Sequence, residues 1–208
     1  MQSDLFGEQK PYESLDQLVT DMRAMTDDPL YPMGTNLVIF RGNPDAKLAI
    51  VGEAPGPQEN VEGVPFVGRA GKLLDQILDA VNLDSEKDVF ITNAVFRMPP
   101  GADGKTFRRP TSEEIAFYKP FILEIIRVVD PKIMLLTGNV SCEAFLGITG
   151  ITRLRGQWRD WNGRQVMPIF HPAYLLRNPS RTPGSPKANM WEDIQEVRRV
   201  YDELGLGA

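Results

Sequence analysis

Apolar positions change their spacing several times along the chain, and each change marks an element. Leu15, Leu18, Val19 and Met22 share one helical face behind Ser14 and Gln17, whose separation is that of a capping box. Lys47–Gly52 is a short apolar run closed by glycine. A polar Gly/Pro loop follows it, and then Ala70, Leu73, Leu74, Ile77, Leu78 and Val81 recur at helical spacing. Asp88–Asn93 predicts a second strand, and Thr111 with Glu114 caps a helix carrying Ile115, Ile122, Ile125 and Val129. Lys132–Thr137 predicts a third strand, and Val140–Leu146 a short helix stopped by Gly147. Asn162-Gly163 is a hairpin turn whose return arm, Arg164–Phe170, runs into His171-Pro172. A last helix over Met190–Leu204 carries Met190, Ile194, Val197, Tyr201 and Leu204 on one face. Strands alternating with helices imply βαβ units. The predicted fold is therefore α/β: one domain over residues 1–208, a three-layer α/β/α sandwich around a central, mostly parallel four-stranded sheet.

Charge and cysteine content narrow the chemistry. Residues 1–30 form an acidic segment, predicted to be helical in part, with a charge of −5, which equals the net charge of the whole chain. Residues 151–187 instead carry seven basic side chains against Asp160 alone. Phosphate attraction follows such local patches rather than the total, so two readings stay open here: a polyanion-binding face and a solvated surface. No apolar run approaches the roughly 20 residues of a bilayer span, and the acidic start Met1-Gln2-Ser3-Asp4 lacks a signal peptide's basic region. A soluble, cytoplasmic, monomeric protein is expected. One cysteine, Cys142, excludes an internal disulfide, a four-cysteine zinc site and a four-cysteine iron–sulfur cluster.

In open α/β sheets ligands bind beyond the carboxyl ends of the strands. Those ends here carry Glu53-Ala54-Pro55-Gly56, Asn93, Gly138-Asn139 and His171. Turn preferences explain any one of them, but together they place polar and glycine-rich residues along one edge.

Three segments at that edge resemble a known family. Gly52-Glu53-Ala54-Pro55-Gly56, with Glu59 and Gly63-Val64-Pro65-Phe66-Val67-Gly68-Arg69-Ala70-Gly71-Lys72-Leu73-Leu74, resembles the first motif of the uracil-DNA glycosylase superfamily, specifically its family 4 branch. His171-Pro172-Ala173-Tyr174-Leu175-Leu176-Arg177-Asn178-Pro179 is similar to its leucine-loop motif, and Thr92-Asn93-Ala94-Val95 lies where the family has its pyrimidine-reading asparagine. The resemblance covers residues 25–205 and implies a DNA repair enzyme that flips uracil out of single- or double-stranded DNA and hydrolyses its N-glycosidic bond. It implies a uracil pocket of Gly52, Ala54, Phe66, Asn93 and His171. Phe66 would stack on the base, Asn93 would accept from N3–H and donate to O4, and His171 would donate to O2. Glu53 is the first candidate to orient water or stabilise the sugar cation, with Glu59 the second or a wall against thymine's methyl. Ala54 stands where some related families have aspartate. Tyr174, Leu175 and Leu176 are candidate wedges in a loop, with Arg177 holding phosphate.

Two departures stand out. Family 4 enzymes are known for a four-cysteine iron–sulfur cluster, and the matching positions here are Met25, Asp28, Arg97 and Tyr118. No cluster, no metal and no other cofactor is expected, and packing and hydrogen bonds involving Asp28, Arg97 and Tyr118 would replace it. Second, the Gly101–Arg109 connection is longer than usual for the family. Covalently trapping relatives carry a histidine in a comparable extension, whereas this one holds Lys105, Phe107, Arg108 and Arg109, and the chain's one histidine is His171. Turnover is expected, with the loop as a basic clamp on DNA. A non-catalytic or covalently trapping uracil-DNA-binding protein is the alternative. A phosphate site at the Gly52–Gly56 loop is a third reading, disfavoured because the loop lacks a P-loop's Gly-Lys-Ser/Thr.

Overall fold

The computed structural model describes residues 11–103 and 106–207. Its sheet has six strands, not four, in the order β1-β3-β2-β4-β6-β5. These are β1 (Phe40–Gly42), β2 (Leu48–Gly52), β3 (Val89–Asn93), β4 (Ile133–Thr137), β5 (Arg159–Trp161) and β6 (Arg164–Ile169). The four central strands are mutually parallel, while β1 and β5 pair antiparallel at the two edges. The edge strands escape a hydrophobic-pattern reading because each has three residues, too few to show a period. The hairpin between β5 and β6 turns at Asn162 (φ 51°) and Gly163 (φ 76°), the two left-handed residues that a tight hairpin requires.

The central strands bury both faces, which is why they read as continuous apolar runs. Ala49, Val51, Phe90, Met134, Leu136 and Val166 point to one core, with Leu18, Met22, Ile122 and Ile125. Leu48, Ile50, Ile91, Leu135, Met167 and Ile169 point to the other, with Leu74, Leu78, Ile194 and Val197. Helices cover each face. On the first side lie α1 (Leu15–Ala24), α4 (Ser112–Val129) and α5 (Asn139–Leu146). On the second lie α3 (Arg69–Asp79), α7 (Pro172–Arg177) and α8 (Pro186–Glu203). Two short helices, α2 (Pro57–Glu62) and α6 (Ile151–Leu154), sit in connections.

The predicted caps form. Ser14 Oγ accepts from the Gln17 N–H at 3.2 Å, and Thr111 with Glu114 makes the full reciprocal box. The last helix begins at Pro186, capped by Ser185, one turn before the predicted Met190. Of the acidic 1–30 segment, residues 1–10 lie outside the described residues, and among the rest α1 is helical.

Candidate active site

Parallel strands in register end side by side, so the motifs that follow β2, β3, β4 and β6 meet at one edge. Gly52 and Asn93 are register partners at the ends of β2 and β3. Gly138, after β4, donates its N–H to the Ile169 carbonyl at 3.0 Å, and a Cβ on it would stand 3.4 Å from that of His171. Asn139 turns away: its Oδ1 accepts from the N–H groups of Gly150 and Ile151, both at 2.9 Å.

Phe66, Asn93, His171 and Gly52 form one cluster. The Phe66 and His171 rings stack with centroids 5.7 Å apart and planes at 26°. A Cβ on Gly52 would lie 2.2 Å from Asn93 Oδ1 and 2.6 Å from the Phe66 ring, so no side chain fits there. Phe66 takes a left-handed backbone (φ 54°), which is uncommon outside glycine and must be held by its surroundings. Arg41, buried on β1, does part of this, with Nε donating to the Pro65 carbonyl at 3.1 Å and Nη2 to the Phe66 carbonyl at 3.5 Å. Asp75 and Glu86 pair with its guanidinium. Gly71 helps from α3, since a Cβ there would collide with the Phe66 carbonyl. Sequence reading missed Arg41 because it sits on an unrecognised edge strand and acts only through residues distant in sequence.

Glu53 and Glu59 have different surroundings. Glu59 Oε1 accepts from Val67 N–H at 3.1 Å and Gly68 N–H at 2.8 Å, so this carboxylate shapes the loop after Phe66. No such backbone bonds engage the Glu53 carboxylate among the described residues. Burial raises its pKa above the usual 4.5, and the positive charge of Arg109 opposes that rise. Ala54, beside it, packs partly against the first core.

His171 caps α7, with Nδ1 accepting from the Ala173 N–H at 3.2 Å. Burial, reinforced by the Arg177 charge, pushes its pKa down to about 4. The imidazole is therefore neutral near pH 7, and with Nδ1 accepting, Nε2 carries the hydrogen. Asn93, 2% exposed, has an amide with no hydrogen-bond partner among the described residues. The cluster thus offers one neutral donor and one amide with both a donor and an acceptor.

The DNA-facing expectations are partly corrected. Tyr174, Leu175 and Leu176 do not lie in an open loop but on α7, where helical geometry sends them in different directions. Leu175, 1% exposed, belongs to the second core, whereas Tyr174 is 37% exposed and Leu176 half-buried. Leu175 also walls a largely apolar cavity of about 600 Å³ between α3 and α8, separate from the Phe66–Asn93–His171 cluster. In the 101–109 connection Phe107 is exposed and Lys105 lies outside the described residues. Arg108 is held by both Glu114 oxygens, and Arg109 pairs with Glu143 at 2.6 Å. Both guanidiniums are thereby partly neutralised. The Arg/Lys-rich 151–187 stretch divides too: Arg155 and Arg164 pair with Asp193 and Asp130, while Arg177, Arg181 and Lys187 form no ion pair among the described residues.

The residues at the expected cluster positions do not fit an iron–sulfur group. Such clusters are held by thiolates, and these positions carry a thioether, a carboxylate, a guanidinium and a phenol. Three of them bond to one another instead: Asp28 Oδ2 accepts from Arg97 Nε–H at 2.7 Å, and Asp28 Oδ1 from the Tyr118 hydroxyl at 2.6 Å. Nearby, Thr35 Oγ1 is buried without a partner among the described residues, a lone hydroxyl rather than a cluster ligand. Cys142 is elsewhere, buried on α5, with its thiol pushed up to about 12 by burial. Among the described residues no group of three or more His, Cys, Asp or Glu side chains is arranged to hold a metal ion, and no helix is long and apolar enough to cross a membrane.

Comparison with known proteins places the chain in a family. The family model described as the uracil DNA glycosylase superfamily matches residues 39–195. A type-4 uracil-DNA glycosylase of Thermotoga maritima is 39% identical over 197 residues, covering 93% of this chain and 98% of that protein. One of Sulfurisphaera tokodaii is 34% identical over 198 residues, covering 90% and 85%. A DNA polymerase of Bacillus phage SP01 is 34% identical over 139 residues, covering 67% of this chain and 14% of the polymerase. The chain belongs to the uracil-DNA glycosylase superfamily.

Proposed function

We propose that the protein excises uracil from DNA by hydrolysing its N-glycosidic bond, leaving an abasic site, with no metal or iron–sulfur cluster. The observation that carries this reading is the cluster of Phe66, Asn93 and His171 around Gly52, at the carboxyl ends of the parallel strands and within the span matched by the superfamily model. A target base must leave the helix to reach that edge. There, Phe66 offers a stacking face, and the Asn93 amide matches uracil N3–H and O4 while opposing cytosine at both atoms. As the glycosidic bond breaks, its electron pair leaves with uracil and the sugar becomes cation-like. The neutral His171 Nε2–H stabilises charge growing on O2. Glu53 orients water toward C1′ and accepts its proton as the new C–O bond forms. Glu59, already engaged with Val67 and Gly68, holds the pocket loop.

Tyr174 and Leu176 are the wedge side chains in this reading, and Leu175 anchors α7 from beneath. Arg177, Arg181 and Lys187 contact phosphates of single- or double-stranded DNA, and Arg108 and Arg109 reach it more weakly because each has a carboxylate partner. The enzyme acts as a cytoplasmic, nucleoid-associated monomer. The extended connection carries no histidine, so the enzyme turns over without a covalent adduct. A 5′-labelled oligonucleotide with one uracil, incubated in chelator and then treated with alkali, tests this directly. Cleavage in excess over enzyme is expected. A heat-stable protein–DNA band would show trapping, and uracil-dependent binding without cleavage would show a reader.

A further inference from the structure

The bonds around Asp28 join three segments that are far apart in sequence. Its carboxylate, 2% exposed, accepts from Arg97 and Tyr118, which are 69 and 90 residues away, and from the Leu30 N–H at 2.8 Å. Arg97 extends the connection: Nη1 donates to the Thr35 carbonyl, and the guanidinium lies 5.3 Å from the centre of the Tyr31 ring. Tyr118, on α4, packs edge-on against Phe96 at 5.6 Å. The segment after α1, the exit of β3 and the middle of α4 are thus tied at one buried point. One anion meets one cation there, and the phenol adds a donor without adding charge. Such a pair avoids the cost of an uncompensated buried charge.

The tie continues toward the pocket. Asn36, next to Thr35, donates its N–H to Asn60 Oδ1 at 2.7 Å and its Nδ2–H to the Asn60 carbonyl at 2.6 Å. Asn60 follows Glu59 on α2, and Glu59 holds the Val67 and Gly68 amides immediately after Phe66. Hydrogen bonds joined by the peptide links Thr35-Asn36 and Glu59-Asn60 therefore lead from the buried pair to the backbone that follows Phe66.

We propose that Asp28, Arg97 and Tyr118 form a metal-free clasp that replaces the cluster implied by the resemblance and, through Asn36, Asn60 and Glu59, positions the Phe66 loop for uracil. The clasp residues are positioning residues. The proposal rests on the uracil-excision reading for its kinetic consequence only, since its structural consequence is measurable without catalysis.

The test combines iron analysis of the purified wild type with three readouts on Tyr118→Phe and Asn60→Ala: thermal unfolding, amide hydrogen exchange across residues 57–68, and steady-state excision from a single-stranded uracil oligonucleotide at a temperature where each variant is fully folded. Tyr118→Phe keeps the Asp28–Arg97 pair and so retains the fold, and Asn60→Ala removes the Oδ1 acceptor of Asn36 N–H, which weakens the connection outside the clasp and leaves the bond to the residue 60 carbonyl in place. The wild type is expected to contain no iron. Both variants should exchange the Val67 and Gly68 amides faster and lose about tenfold in kcat/KM, the scale of a sub-ångström misplacement, while Tyr118→Phe alone lowers Tm markedly. Stoichiometric iron in the wild type would overturn the replacement. A lower Tm in Tyr118→Phe with unchanged exchange and kcat/KM in both variants would reduce the clasp to a stability element and overturn the positioning role. If the wild type excises no uracil, the exchange arm still decides whether the clasp holds the loop, so the two readings fail separately.

Discussion

The clasp and the proposed uracil pocket are both built around polar side chains, yet they treat hydrogen-bonding capacity in opposite ways. At the clasp, the Asp28 carboxylate takes three donors from its own chain. At the pocket, the Asn93 amide lacks a partner among the described residues, and His171 uses Nδ1 on Ala173 while Nε2–H remains to donate. Neither group is among the fully buried polar atoms without a partner, so their hydrogen-bonding capacity stays available to a ligand without the roughly 1–3 kcal/mol that burying an unsatisfied group costs. The Asp28 carboxylate is saturated and holds the structure, although Thr35 Oγ1 beside it has no partner among the described residues, whereas the open groups at the strand ends remain available to a ligand. Glu59 and Glu53 repeat the contrast within one motif: the first is engaged by backbone donors, and the second, partly buried, has no such donor among the described residues.

This comparison can be broken most sharply at the open groups. Glu53→Gln should lower kcat by about 100- to 10,000-fold, the range for a positioned acid–base group, measured by single-turnover excision. Because burial raises the Glu53 pKa above 4.5, and the ionised form is the active one, wild-type activity should fall as pH drops through a value above 4.5. That acid limb should vanish in the residual activity of Glu53→Gln. His171→Ala should cost about 100- to 1000-fold in kcat with little change in KM, the signature of a donor used in the transition state. Its neutrality carries a stability consequence as well. An unfolded histidine takes up a proton near pH 6.5, but the buried ring resists until about pH 4. Wild-type stability should therefore decline between those values as pH falls, and the decline should shrink in the variant.

Smaller effects follow at the reading and binding groups. Asn93→Ala should cost about 1–3 kcal/mol of transition-state binding, roughly 5- to 150-fold in kcat/KM, and should narrow discrimination between uracil and cytosine. On α7, Leu175→Ala should destabilise the fold by about 2–5 kcal/mol in denaturant titration, whereas Leu176→Ala should leave stability nearly unchanged and slow excision from duplex more than from single strand. The smallest effect separates paired from free cations. Arg177→Gln should reduce the salt dependence of DNA binding by about one ion, and Arg108→Gln by less, because Glu114 already neutralises Arg108.

Much of this architecture is local and therefore visible in the chain itself. Periodicity locates the four central strands and the long helices because each buries a continuous face or stripe. Ser14, Thr111, Gly147 and Asn162-Gly163 mark their ends because caps and turns depend on side-chain chemistry within a few residues. The strand-end motifs are legible too, since parallel strands carry whatever follows them to a common edge. The edge strand β1 is not, because three residues show no period, and β5 is signalled only by the hairpin turn that follows it.

The amino-acid sequence by itself thus determined the layered βαβ plan, the residues delivered to the edge of the candidate site and the lack of thiolates at Met25, Asp28, Arg97 and Tyr118. Only the tertiary structure decided which of those residues are free to act. Glu59 became a loop holder, Leu175 a core residue, Arg108 a neutralised cation, and Arg41 a support for Phe66. Each outcome depends on partners from other elements: the Glu59 bonds to Val67 and Gly68, the core against α3 and α8, the Arg41 bonds to the Phe66 loop. The Asp28–Arg97–Tyr118 clasp is the extreme case, because its bonds span 69 and 90 residues and form only when the chain has folded around them.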